Sequence, residues 1–135
     1  MEINNKEKTL IALYKVNNED ISSLESEVNC DKIGITFKEF TMSLEKLSKE
    51  ELIDGVTFSY VGGRAAVPFW QDARVTDKGI KYVEEKIGVE NTLNKREKTI
   101  YILKECMKFG WNEIKDIGTS YAAKTTAEII ENLKK

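Results

Sequence analysis

The chain has 135 residues, of which 41% are apolar and 33% charged, with a single proline. That balance excludes disordered, fibrous and linker classes and fits one domain with an appendage. Lys and Arg number 21 against 23 Asp and Glu, a net charge of −2, which excludes a polycation that grips nucleic acid by bulk charge. Histidine is absent, so the commonest general base and metal ligand is missing.

Cys30 and Cys106 are the only cysteines. They are too few for a thiolate zinc site and read as two buried thiols of a reducing compartment. The N-terminal stretch Met1–Lys8 is polar and mixed in charge, without the apolar core of a signal peptide. No apolar run approaches the ~20 residues that span a bilayer. A cytoplasmic protein without integral membrane association is expected.

The first element is a short amphipathic helix over 4–17, carrying Leu10, Ile11, Leu13, Tyr14 and Val16. Asn17-Asn18-Glu19-Asp20 breaks it, and Asp20 is placed to cap the next helix. Ile21, Leu24 and Val28, spaced by three and four, predict a second short helix over 21–29. The third is the clearest. Thr36 with Glu39 forms the capping-box pattern, and Phe37, Phe40, Leu44 and Leu47 make one buried stripe. The opposite face carries Lys38, Thr41, Met42, Glu45 and Lys49.

The period then changes. Val56, Phe58 and Tyr60 alternate with Thr57, Ser59 and Val61, as on a half-buried strand. Gly62-Gly63 signals a hairpin turn, with Arg64 at its tip. The returning strand runs from about Ala65 to Val75, and Pro68 places it at an edge or at a bulge. Thr76-Asp77 caps another helix, with Ile80, Val83 and Ile87 on one face, and Gly88 ends it.

The charge balance also shifts. Residues 1–88 hold 12 basic and 16 acidic side chains, net −4, and 89–135 hold 9 and 7, net +2. In the second part Ile100, Leu103, Met107, Trp111, Ile114, Ile117 and Tyr121 keep helical steps, as one long helix or two broken near Gly110. Ile129, Ile130 and Leu133 extend the apolar face. The expected fold is therefore α+β. Its order of three helices, a hairpin and a helix over 1–88 is that of a winged helix-turn-helix, followed by a helical extension over 89–135.

Ile33-Gly34-Ile35-Thr36-Phe37-Lys38-Glu39-Phe40, running on to Leu44-Glu45-Lys46-Leu47 and Leu52-Ile53, resembles the third-helix region of the YjcQ-like family. These are small winged-helix proteins of Gram-positive bacteria and their phages. Arg74-Val75-Thr76-Asp77-Lys78-Gly79-Ile80-Lys81-Tyr82 is similar to the end of the wing there and in other winged-helix families. The resemblance covers about residues 5–88 and implies a winged-helix fold with a DNA-binding role. The extension departs from it.

In that frame the helix at 36–48 is the recognition helix. Lys38 and Lys49 would meet phosphates, Thr41 would read a base edge, and Met42 and Glu45 would share that face. The competing reading is a solvated face of mixed charge. Arg64 would enter a minor groove or hold phosphate; otherwise it is an incidental arginine at a tight turn. Tyr60, Phe69 and Trp70 are expected mainly as the packed face of the hairpin, with base stacking as the alternative. Glu50-Glu51 and Glu84-Glu85 point in different directions on a helix and read as solvated charges. Ser22-Ser23 and Thr125-Thr126 have no histidine to activate them, and no phosphate loop exists.

Gly118 and Ala122, four apart, allow close approach of another helix. Ile100, Leu103, Met107, Trp111, Ile114, Ile117 and Tyr121 are read as a dimerisation face, with 92–134 joining two copies so that paired half-sites are read. The leading expectation is a non-enzymatic, phage- or prophage-related DNA-binding regulator, without cofactor or metal. The rival is a phage-encoded module that docks on and inhibits a host protein such as a nuclease or defence complex. The acidic first domain favours the rival, since acidic surfaces occupy sites built for phosphate backbones.

Overall fold

The computed structural model describes residues 2–19 and 24–118. Its first helix, α1 (Asn5–Glu19), lies at the centre. No residue from Thr9 to Val16 is more than 2% exposed, so the helix is buried all round rather than along one stripe. The polar groups of Thr9 and Lys15 there are satisfied internally. The Thr9 hydroxyl donates to the Asn5 carbonyl, and the Lys15 ammonium binds the Glu19 carboxylate and the Ile117 carbonyl, each at 2.5 Å.

The helix expected over 21–29 is instead two single turns, α2 (Leu24–Glu27) and α3 (Cys30–Ile33). Asn29 separates them. Its backbone is extended and its side chain accepts from the Lys32 amide, so it starts a new turn instead of continuing the old one. Ile21 and the Asp20 cap lie outside the described residues. Next, α4 (Phe37–Lys49) opens on the Thr36–Glu39 capping box and buries Phe40, Leu44 and Leu47 completely. It closes on Glu51 at φ +62°, with the Leu52 amide donating to the Leu47 carbonyl, a Schellman-type end.

Two small antiparallel sheets follow, which makes the architecture α+β. In one, β1 (Ile53–Asp54) pairs with β4 (Arg74–Val75). In the other, β2 (Thr57–Val61) pairs with β3 (Arg64–Phe69). Val61 opposes Arg64 across Gly62 and Gly63, both at positive φ, as a two-residue hairpin loop requires. Ser59 faces Val67 while Tyr60 faces Ala65, so Ala66 is the extra residue of a bulge. Pro68 is therefore accommodated twice over, in a two-stranded sheet that has only edges and beside a bulge. Helix α5 (Asp77–Ile87) runs from the Thr76 cap to Gly88.

Helix α6 (Lys95–Lys108) begins at an Asn94–Glu97 capping box and stops before Gly110, and a 3₁₀ segment spans Asn112–Asp116. The second part is thus broken near Gly110. Leu103, Cys106, Trp111, Ile114 and Ile117 join α1 and α4 residues in one core, and α6 packs on α1. This packing bears on two expectations. The core crosses the boundary placed between 88 and 89. The intended dimer face is also used up within the chain. Ile100 is 7% exposed and Leu103, Trp111, Ile114 and Ile117 are 3% or less, leaving only Met107 open, at 37%. The physical reason is that α1 carries apolar residues on more than one side and needs a cover that α4 and α5 do not supply alone. Tyr121 and Ala122 lie outside the described residues, as do the remaining apolar positions to the C-terminus.

Both cysteines are free thiols. Burial pushes the Cys106 thiol up to about 12, which leaves it protonated and unreactive. Among the described residues no helix is long and apolar enough to cross a membrane.

Candidate functional site

The inner stripe of α4 fixes which way its outer face points. With Phe40, Leu44 and Leu47 against the core, residues 38, 42, 45 and 49 must turn outward. The hairpin is held beside that face by Trp70. Its indole Nε1 donates to the Val28 carbonyl at 2.7 Å, and its ring stands edge-on to Phe40 with centroids 5.0 Å apart. Trp70 thus belongs to the packed face, as its sequence context suggested. Tyr60 and Phe69 do not, being 55% and 54% exposed. The hairpin has packing for one of its sides only.

Between α4 and the hairpin lies a groove of about 490 Å³. Lys38, Thr41, Met42, Glu45, Lys49 and Arg64 all line it. Those are the six residues singled out from the sequence for this face, and they come from two elements separated by two strands and a turn. Phe37, Tyr60, Ala65 and Ala66 complete the walls. Of the charged members three are cations and one is a carboxylate, so the groove is locally positive in a chain of net charge −2. The lone carboxylate, Glu45, lies 3.8 Å from the exposed Lys49 ammonium one turn on. Lys38 and Arg64 are also exposed.

Two members depart from expectation. Thr41 is only 4% exposed, and its hydroxyl donates to the Phe37 carbonyl at 3.0 Å. It lies at the floor of the groove, tied to its own helix, and does not project a hydroxyl for reading. Phe37, placed in the buried stripe by its spacing, is 48% exposed, and Met42 is 47% exposed. The first turn of α4 overhangs the core, so a position in phase with the stripe still lacks a neighbour to cover it.

Behind the site, α1, α5 and α6 are joined by a polar network that the sequence reading missed. Glu7, 4% exposed, accepts from the Tyr82 hydroxyl and the Asn4 amide and pairs with Lys86 at 2.6 Å. Burial alone would raise its carboxyl; these three donors outweigh burial and hold it below the ordinary value. Glu84 accepts from the Tyr14 hydroxyl at 2.8 Å and the Lys98 ammonium at 2.9 Å. This corrects its reading as a solvated charge. Burial and the Glu84 carboxylate push the Tyr14 phenol well above its usual range. The available signal was two tyrosines on apolar helix faces, each needing a partner for its hydroxyl. A second hollow, of about 510 Å³, lies beside this network near Asn4 and Trp111, with its Glu7 and Lys86 already paired to each other.

The groove gathers cations and apolar surface, with no nucleophile beside a base. Among the described residues no cluster of acidic or thiol ligands is placed to hold a metal. What it can do is hold a polyanionic ridge by the charge of its cations and by contact with its apolar side chains. No curated protein and no solved structure matches the chain. A family model described as YjcQ protein matches residues 8–108, and the chain belongs to that family.

Proposed function

We propose that the chain is a non-enzymatic winged-helix protein that binds double-stranded DNA and acts as a regulator of phage or prophage type. In this reading α4 enters a major groove, the turn Gly62–Arg64 serves as the wing, and one sugar–phosphate strand lies between them. The observation that carries it is the meeting of Lys38, Lys49 and Arg64 at a single groove. Cations gathered at one groove are the kind of local basic patch that phosphate contacts need, and they occur here despite an acidic whole. The order of four helical elements, two of them single turns, then hairpin and helix supports the same reading. Because the apolar face of α6 is internal, the proposal is for a single docked unit and does not rest on paired half-sites. A polarisation titration with random duplex at low salt tests it. Binding at micromolar concentration is expected, and none at tens of micromolar would overturn it, since even sequence-blind affinity is about 10⁻⁴–10⁻⁶ M at physiological salt.

A second reading has its own observation. Val61, Val67 and Phe69 on the hairpin are 70%, 44% and 54% exposed, and clustered apolar exposure favours a protein partner. There the fold would serve as a scaffold that docks on and inhibits a host protein. Capture of one protein from host lysate that survives nuclease treatment, and is lost on Phe69→Ser, would favour it.

A further inference from the structure

We infer that the groove selects duplexes by their thymine 5-methyl groups, through Met42 and Phe37. The inference rests on the DNA reading and names the feature of DNA that the site recognises.

Residues 37–49 contain no Asn or Gln, the side chains that grip adenine bidentately, and no Arg, so only lysines could reach guanine from this helix. Thr41 is buried with its hydroxyl bonded to its own helix. Ser43 is 4% exposed and off the groove. Glu45, which would accept from a cytosine amino group, lies within reach of the Lys49 ammonium. Lys38, Lys49 and Arg64 all line the groove and suit phosphates, which carry no sequence.

Beside these charges the groove presents apolar side chains. Phe37 and Met42 are about half exposed and both line the groove. A methionine and a phenylalanine left in water on a surface helix gain nothing there. The only apolar group on a major-groove edge is the thymine methyl. Covering one removes both partners from water, and the flexible Met42 thioether adapts to its position.

The test uses the full chain and two duplexes of equal length at one salt concentration, poly(dA·dT) and poly(dA·dU), which differ only in the 5-methyl group. Wild-type protein is expected to bind the uracil duplex weaker by about fourfold for each methyl covered. Met42→Ala, at an exposed position that leaves the circular dichroism unchanged, should shrink that ratio, and Phe37→Ala with Met42→Ala should bring it to one. Equal wild-type affinity for the two duplexes would overturn the inference while leaving DNA binding intact. A difference that persists undiminished in the double variant would come from duplex shape and would overturn it too. Failure to bind either duplex would overturn the DNA reading itself, as would tighter binding of poly(rA·rU).

Discussion

The indole Nε1 of Trp111 donates to the carbonyl of Ile33 at 3.1 Å, across 78 residues of sequence. The bond is buried and fastens the segment after α6 to the one-turn helix that precedes α4. Trp111→Phe should therefore cost about 1–3 kcal/mol, the loss of a buried donor from an acceptor that stays. Trp111→Ala should cost about 3–5 kcal/mol, because it also opens a cavity. Urea unfolding followed by circular dichroism measures both. A loss below 1 kcal/mol for the alanine variant would mean the segment after α6 is not part of the core.

Gly79 inverts the usual helix rule. Alanine is ordinarily about 1 kcal/mol better than glycine inside a helix. Here a Cβ would fall 2.1 Å from the Leu52 carbonyl oxygen and 2.6 Å from Val75 Cγ1, where α5 crosses the strands. Gly79→Ala should destabilise by about 1–3 kcal/mol, as overpacking does, and lower the melting temperature. The glycine of the Thr-x-Lys-Gly stretch is thus a packing requirement of the fold.

Lys15 is 1% exposed and holds Glu19 and the Ile117 carbonyl. Lys15→Met strands a buried carboxylate and should cost about 3–5 kcal/mol. Adding Glu19→Gln removes that charge and should recover part of the loss. Hydrogen exchange at Ile114–Ile117 should speed up in the single variant, since the end of the 3₁₀ segment loses its clamp.

Stability should fall at both ends of the pH scale through one pair of residues. Glu7 is held below its ordinary 4.5, so the unfolded chain takes up protons first. Its contribution is complete above about 4.5 and is lost as pH falls through the lower folded value. Burial and the Glu7 acceptor push the Tyr82 phenol from 10 up to about 12. Its contribution is complete below 10 and lost as pH rises towards 12. Urea midpoints against pH should show both limbs, and Glu7→Gln should flatten the acid limb while lowering stability at neutral pH.

The elements that were legible in the sequence are those written locally. Thr36–Glu39, Gly62-Gly63 and Thr76 each mark a boundary by their own hydrogen bonds or φ angles. The outward positions 38, 42, 45 and 49 were legible, because spacing around α4 sorts inner from outer positions. The rest depended on neighbours distant in sequence. The core role of α6 is set by the demand of α1 for cover, and an amphipathic stripe looks the same whether it meets its own chain or a second copy. The burial of Thr41 and the exposure of Phe37 depend on where α4 overhangs its support. Glu7 and Glu84 look like surface charges until Tyr82 and Tyr14 arrive from other helices.

The salt dependence of duplex binding tests the central claim most directly. Each phosphate neutralised adds about 0.9 to the magnitude of the slope of log affinity against log salt. Lys38→Ala, Lys49→Ala and Arg64→Ala remove exposed side chains and should leave the unfolding midpoint unchanged. Each should reduce the magnitude of that slope by about 1 and weaken binding uniformly across sequences. A slope that stays at its wild-type value in all three variants would contradict the groove as the site of contact.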